Sequence, residues 1–531
     1  MKGAEETTRD TITPPSVTDA DADDLINVSG HKQEVDRIFD LFSTISLAIT
    51  CGNVWPSLAG SITVAIYNGG APGFIYEFIT VAVFYWFVAA SIAELASAIP
   101  SAGGVYHWAT VTAGPRYGKL CGFMAGWWNY LAWLFGTAST LQISANIIIS
   151  MWRVSHPGFV EQRWMVFVVY IILCWFIACV AGFANKALPR IEQVGGFFVV
   201  VGFLITVIVC AIMPKVNGQP YATSSFVWTN WENGTGYTSN GLVFVLGMLN
   251  GAFAVGTPDV TSHLAEEIPK PQINIPYAML AQYSIGFITG LFFLIPIMYG
   301  IFDLSEITAA GTLFPLADIY VQVTGSAAAT IGLLFLVLIP VNGSTCGCYL
   351  TSSRVFWTLA RDRATPFSGF FSTINPRFKV PLNAIMLNAT LCTVLGCIYL
   401  GNLTAFTAFV SSFVVLTSAS YVCAILPNLL SGRSRLTPGP FWMKGAIGFV
   451  VNAVAGSYML AFIVIFCFPF AMPVSPLYMN YTCVIFGGFT IIVGAFYLIL
   501  KKNYEGPKVV HLEGVAEMTV AEYRAQVSSD K

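Results

Sequence analysis

The chain has 531 residues, 56% of them apolar and only 10% charged, with a formal net charge of −2 at pH 7. A water-soluble domain carries roughly 25% charged residues, so the composition excludes a protein covered mainly by aqueous surface. No nucleic-acid partner is expected.

Residues 1–40 are acidic, rich in Thr, Pro and Asp, and lack an apolar core. This predicts no cleavable signal peptide and a disordered cytosolic tail, either regulatory or a solvated tether, with a short juxtamembrane helix around His31–Leu41. Crossing a ~30 Å hydrocarbon core takes about 20 apolar residues. Twelve such runs follow, at 44–69, 73–98, 120–152, 164–183, 190–213, 240–264, 277–301, 328–359, 381–400, 403–428, 444–469 and 479–500. The fold class is therefore an all-α polytopic membrane protein, with a transmembrane domain over 41–500 and a second tail at 501–531.

An even number of spans puts both tails on one side. Of the 25 Lys and Arg, all but Arg153, Arg163 and Lys215 fall on the side of the N-terminal tail, and the positive-inside bias makes that side cytosolic. The triplets beginning at Asn233, Asn402 and Asn480 are glycosylation sequons, and all three fall on the predicted outer face, in loops or, for Asn480, at the outer end of the last run. The 12 cysteines lie almost entirely within apolar runs, so no disulfide framework is expected. Cys346 and Cys348 read as small buried residues rather than metal ligands; no metal and no cofactor is predicted.

Two runs are interrupted. Span 1 contains Gly52, Asn53, Pro56 and Gly60 near its middle, and span 6 contains Gly251, Gly256, Thr257, Pro258 and Asp259. Within hydrocarbon, backbone groups freed by such clusters must face protein, water or substrate. Span 1 runs outward and span 6 inward, so the interruptions occupy matching places in two five-helix halves of opposite orientation, at about 44–213 and 240–428. Such a pair points to an inverted-repeat carrier with a midplane binding site; two ordinary kinks are the alternative.

Several stretches carry a family resemblance covering nearly all of 40–500. Residues 93–108 (AELASAIPSAGGVYHW) and 353–362 (SRVFWTLARD) resemble the amino acid/polyamine/organocation carriers. Residues 67–73 (YNGGAPG), 125–130 (AGWWNY) and 263–269 (HLAEEIP) resemble the fungal amino acid and choline permeases, most nearly those of the yeast choline type. The resemblance implies a leucine-transporter-type core of ten helices plus two peripheral ones, at 444–500, working by alternating access in the plasma membrane.

Choline has a fixed positive charge and no N–H to donate, so its head group is held by aromatic faces, each contributing ~0.5–2 kcal/mol. The candidate substrate residues are Gly52, Asn53 and Trp55 at the first break, Phe253 and Gly256 at the second, and Trp127, Trp128, Tyr130 and Trp133 in span 3. At ~100° per residue Trp127 and Trp128 point in different directions, so one of them is expected to face the site. Asn53 or freed backbone would take the choline hydroxyl.

Charges within spans are costly and default to function. Asp259 is a candidate to balance the substrate cation, to bind a coupling proton or to join a cytosolic gate. Glu94 is expected to pair with Arg354 or Arg361, as a gate or a structural ion pair. His263, Glu266 and Glu267 read as a solvated helix end, with Glu266 a further gate candidate. In some bacterial relatives a Lys within span 5 acts as a proton-linked switch, yet residues 191–213 hold no Lys. Ser344, Thr345, Thr351 and Ser352 are available for a sodium site, although such hydroxyls usually bond their own helix. Entry driven by protons or by potential fits equally.

Three functions stay in view: uptake of choline or a related quaternary amine; uptake of γ-aminobutyrate or another amino acid, whose carboxylate the half-helix ends could bind; and a transport-inactive receptor. No nucleophile–base constellation or phosphate loop appears, so an enzyme is not expected.

Overall fold

The computed structural model describes residues 25–27, 33–310, 312–401, 404–476, 478–504, 506–507 and 517–519. In chain order the helices are α1 (Leu41–Cys51), α2 (Val54–Tyr67), α3 (Gly70–Ala98), α4 (Val105–Ser155), α5 (Arg163–Phe183), α6 (Leu188–Val216), α7 (Ser224–Trp228), α8 (Asn240–Val255), α9 (Pro271–Tyr299), α10 (Leu304–Ala310), α11 (Leu316–Thr324), α12 (Ala327–Arg361), α13 (Ser368–Phe371), α14 (Leu382–Gly401), α15 (Thr404–Leu430), α16 (Gly445–Ile465) and α17 (Thr482–Leu500). A 3₁₀ segment, Val260–Glu267, lies between α8 and α9.

Eleven helical segments among the described residues are long and apolar enough to cross a membrane. The first predicted span is not among them, because its break divides it into α1, of 11 residues, and α2, of 14. Each is shorter than the ~20 residues a bilayer requires. Together they cover the predicted run.

Local chemistry sets several ends. Asp40 caps α1 by accepting from the Ser43 amide at 2.7 Å, and Ser43 Oγ accepts from the Asp40 amide at 2.8 Å, a reciprocal capping box. Ser239 and Ser326 cap α8 and α12 from one side only, accepting from the Leu242 and Ala329 amides. The loop expected before span 3 is instead helical from Val105. Gly114, at φ +74°, kinks it ahead of Pro115, a backbone conformation that favours glycine.

The helices form two packed groups. Helices α1, α2, α3, α8 and α9 pack on one another, and α4, α5, α12 and α14 form a second set with α15 lying along α4. Helix α6 stands at the seam, against both α1 and α12, and α16 and α17 pack on the outside. At this seam a Cβ on Gly195 or on Gly343 would lie 2.5 or 2.6 Å from Thr50 Cγ2, so glycine lets α6 and α12 close on α1.

Most of 1–32 and 508–531 lies outside the described residues, including much of both predicted tails. Within them Leu25–Asn27 (β1) pairs antiparallel with Glu517–Thr519 (β2), Asn27 opposite Glu517. The short helix expected around His31–Leu41 is absent from its described part: Gln33–Asp40 is non-helical. Its polar groups turn instead to the 3₁₀ segment, with Gln33 Nε2 donating to Glu266 O at 2.7 Å and the Phe39 amide to Glu267 O at 3.2 Å. Asn402, of the second predicted sequon, falls outside the described residues.

Candidate functional site

Both interruptions are real breaks in the backbone. Helix α1 ends at Cys51, α2 begins at Val54, and Gly52 and Asn53 bridge them. Asn53 Nδ2 donates to Pro340 O of α12 at 3.4 Å, while Asn53 Oδ1 accepts from Ser57 Oγ at 2.6 Å. Helix α8 ends at Val255, and Gly256, Thr257 and Pro258 lead to Asp259. The carbonyl freed at Val255 accepts from Tyr283 OH of α9 at 2.6 Å, so a backbone group released by the break is satisfied by protein.

Gln282 of α9 joins the two breaks. Its Nε2 donates to Thr257 Oγ1 at 2.8 Å and to Thr257 O at 3.2 Å, and a Cβ on Gly52 would lie 2.8 Å from Gln282 Cγ. Val54 and Val255 flank the breaks and, with Gln282, Tyr283 and Phe287, line a cavity of about 10 Å³. That is at most the space of a single water, which needs ~10–15 Å³, so in this conformation the cavity is too small for an organic molecule.

Asp259 is fully buried and collects four hydrogen-bond partners. Asn129 Nδ2 at 2.7 Å, Trp133 Nε1 at 3.3 Å and His263 Nε2 at 2.9 Å approach Oδ2, and Tyr421 OH reaches Oδ1 at 2.6 Å. His263 Nδ1 faces Ala102 O at 3.1 Å. That carbonyl only accepts, so Nδ1 carries hydrogen, and Nε2 and Oδ2 are joined by a single hydrogen bond within a buried His–Asp pair. Asp259 thus fastens the inner half of the sixth span to α4, α15 and the loop before α4. His263, expected at a solvated helix end, is instead fully buried, because the 3₁₀ segment packs on α12 and α9 and meets the loop before α4 at Ala102 and Gly104.

Glu266 and Glu267, also expected in solvent, are buried against α12. Arg354 Nε meets Glu267 Oε1 at 2.8 Å and Arg361 meets Glu266 Oε1 at 3.0 Å. The two arginines are seven residues apart and share a helix face, so the pairs form a double latch between the two helix groups on the side of the N-terminal tail. Glu94 is not part of it. Its carboxylate pairs with Arg433 and accepts from Asn452 Nδ2 at 3.0 Å, because its face of α3 packs on α16 and not on α12.

The predicted aromatics separate. Phe253 meets Phe413 of α15 with centroids 5.7 Å apart, and Phe413 meets Trp133 at 5.8 Å. Phe413 Cε1 also lies 3.1 Å from where a Cβ on Gly256 would be, so these three rings panel the second break. Trp55 is fully buried but turns to α6 and α9, donating to Val199 O at 2.9 Å and lying 5.2 Å from Phe293. Trp127 donates to Ala364 O at 3.0 Å, Trp128 to Thr490 Oγ1 of α17 at 3.1 Å and Tyr130 to Asn388 Oδ1 of α14 at 2.9 Å. These contacts lead away from the breaks.

Sequence reasoning passed over Gln282, Asn129, Phe413 and Tyr421. The available signals were a lone carboxamide in span 7, an Asn beside the paired tryptophans, and the four-residue step from Asp259 to His263. Phe413 and Tyr421 are unremarked aromatics in an apolar run, and nothing local distinguishes them.

A family signature described as "Amino acid permease" matches residues 39–489. The choline transporter of Saccharomyces cerevisiae is 31% identical over 490 residues, covering 92% of this chain and 84% of that protein. Amino-acid permease BAT1 of Arabidopsis thaliana is 27% identical, covering 90% of this chain and 94% of its own length. The swainsonine transporter swnT of Arthroderma benhamiae is 28% identical, covering 89% and 92%.

Proposed function

The chain belongs to the amino acid permease family, and from that premise we propose that it takes up choline, or a closely related quaternary amine, across the plasma membrane with both tails cytosolic. As a permease it is a multi-pass membrane transporter and not an enzyme. In this reading the halves at 44–213 and 240–428 are an inverted repeat working by alternating access, with α16 and α17 peripheral. The double latch Arg354–Glu267 and Arg361–Glu266 is the cytosolic gate, closed in this conformation.

The observation that carries the substrate is the ring panel of Phe253, Phe413 and Trp133 at the second break, next to an acid with no capacity to spare. Asp259 is bonded to Asn129, Trp133, His263 and Tyr421 at once, so it is assigned to holding the gate closed. A cation without N–H groups is then held by ring faces. Gly256 lies against this panel, Gly52 is joined to the second break through Gln282, and Asn53 is assigned to the choline hydroxyl, in exchange for its bonds to Pro340 and Ser57. Trp55 buttresses the first break, and Trp127, Trp128 and Tyr130 brace α4. Glu94 is a structural ion pair.

The likeness to a choline transporter supports this reading. Amino acid uptake has a separate observation behind it: α2 restarts at Val54 directly after the break, and the first-turn N–H groups of a helix start suit a carboxylate. Radiolabelled choline uptake in transporter-deficient cells, competed by unlabelled choline or γ-aminobutyrate, separates the two. Competition by choline is expected; competition by γ-aminobutyrate alone would reverse the assignment.

A further inference from the structure

A second and larger cavity, of about 350 Å³, lies between α3, α9 and the loop before α16. That volume falls within the ~300–1,000 Å³ of small-molecule sites. Its lining is apolar or aromatic except for Gln272. Tyr277, Leu280 and Phe441 of that lining are 58%, 52% and 42% exposed, and α3 and α9 are membrane-spanning helices, so the cavity opens toward lipid. Gln272 and Tyr283, at its two ends on α9, are eleven residues apart, which is ~16 Å along a helix and about half of a ~30 Å hydrocarbon core. The cavity therefore has the depth of one leaflet. Ala89, Ala90 and Ala93 of α3 leave the room for it.

The inner end meets the broken spans. Trp86 and Tyr283, with ring centroids 6.2 Å apart, line both this cavity and the small one between the breaks, and so form the partition between them. Tyr283 is also the residue whose OH holds Val255 O at 2.6 Å.

The other end is cationic. Ser97 Oγ donates to Gln272 O and accepts from the Phe441 amide, both at 2.9 Å, which fixes the start of α9 beside the loop leading into α16. Each of these helices has a lysine at its N-cap, Lys270 for α9 and Lys444 for α16, with no side-chain cap bond. A cation is the wrong charge for the positive end of a helix dipole. Both lysines are exposed. The acids of the adjoining segments are already taken: Glu94 by Arg433, Asn452 and the Met443 amide, and Glu266 and Glu267 by Arg361 and Arg354. Two unanswered positive helix starts thus stand over an apolar slot one leaflet deep.

We propose that this cavity holds one tail of an anionic phospholipid, drawn from the leaflet on the side of the N-terminal tail, with its headgroup against Lys270 and Lys444. Gln272, whose Oε1 has no partner, turns its amide N–H groups to the headgroup oxygens. The tail end rests on Trp86 and Tyr283 and backs the bond from Tyr283 to Val255, so the lipid steadies the second break in the closed conformation. A sterol would fill the apolar part and leave both lysines unanswered. The site goes beyond the uptake reading and does not depend on the identity of the substrate.

The test places the full-length protein in phosphatidylcholine vesicles with a small fraction of phosphatidylserine that carries a diazirine at the end of one tail. After irradiation, the labelled peptides are mapped by mass spectrometry. Labelling is expected to saturate and to concentrate around Trp86 and Tyr283, and excess phosphatidylglycerol should displace it. The double variant Lys270→Gln, Lys444→Gln should bind the probe about 30-fold more weakly, the effect of two lysines near a charged lipid, with labelling of the lipid-facing helix α17 unchanged. Ala89→Phe, which fills the cavity, should abolish labelling at Trp86 and Tyr283; should it fail to fold, the exposed lysine pair decides. Added phosphatidylglycerol should raise the melting temperature of wild type in detergent and leave that of the lysine variant unmoved. Equal labelling by a phosphatidylcholine probe, wild-type labelling in the lysine variant, or displacement by cholesterol in place of phosphatidylglycerol overturns the proposal. None of these readouts uses a transported substrate, so their failure leaves the choline reading standing, and failure of choline uptake leaves this site standing.

Discussion

Gln282 donates to Thr257 Oγ1 at 2.8 Å from a side chain that fills the space beside Gly52, so one amide on α9 reports the separation of both broken spans. The breaks are thereby a single mechanical unit, and disturbing either one is felt at the other.

Gly52→Ala is expected to displace Gln282 and break its bond to Thr257. Overpacking of this kind costs about 1–3 kcal/mol, which corresponds to a fall of about 5- to 150-fold in kcat/KM for uptake at unchanged surface expression. Adding Gln282→Ala removes the obstructing side chain and should restore part of the loss. Strictly additive effects in the double-mutant cycle would show that the two residues do not meet.

Replacing Trp133 with Leu removes an aromatic face from the panel and an N–H from Asp259. A cation–π contribution of ~0.5–2 kcal/mol predicts a rise of about 2- to 30-fold in the apparent KM for choline. Phe253→Leu, which leaves Asp259 untouched, should give a rise of the same order. Trp55→Leu is expected to lower thermal stability and leave KM close to wild type, because its indole bonds to Val199 and packs on Phe293. A large KM change in Trp55→Leu with normal melting would return that residue to the binding site.

Asp259→Asn breaks the pair with His263 Nε2 and disturbs the buried cluster with Asn129, Trp133 and Tyr421. Removing one partner of a buried pair costs about 3–5 kcal/mol, so the variant should melt well below wild type in detergent and transport little. Wild-type melting would mean that this cluster does not fasten the sixth span.

The architecture was legible because bilayer thickness converts directly into run length, and because Gly52 and Gly256 interrupt runs that otherwise read as continuous helix. Side-chain direction was not legible. Trp55 sits within the break by sequence yet turns to α6, since direction depends on where α2 restarts after Asn53. Glu94 illustrates the same limit: its sign called for an arginine, but only the packing of α3 on α16 selects Arg433 over Arg354. His263, Glu266 and Glu267 look like a hydrated helix end in one dimension, and are buried because the segment packs on α9 and α12.

Glu267→Gln distinguishes a gate from a mere structural tie. The change strands Arg354, itself 1% exposed, and the ~3–5 kcal/mol lost from the closed conformation favours any state in which that guanidinium meets water. A shift of 3 kcal/mol changes the ratio of closed to open forms by about 150-fold. Opening at this latch uncovers the seam, where Cys51, Cys346 and Cys348 are buried. Their labelling by a membrane-impermeant maleimide applied from the side of the N-terminal tail should therefore accelerate. Glu94→Gln is the matched control, because it strands Arg433 in a comparably buried pair that ties α3 to the peripheral side. It should lower the melting temperature without changing the labelling rate of those three thiols. Equal acceleration in both variants would mean that labelling follows general loosening of the fold, and the Arg354–Glu267 pair would lose its role as the gate.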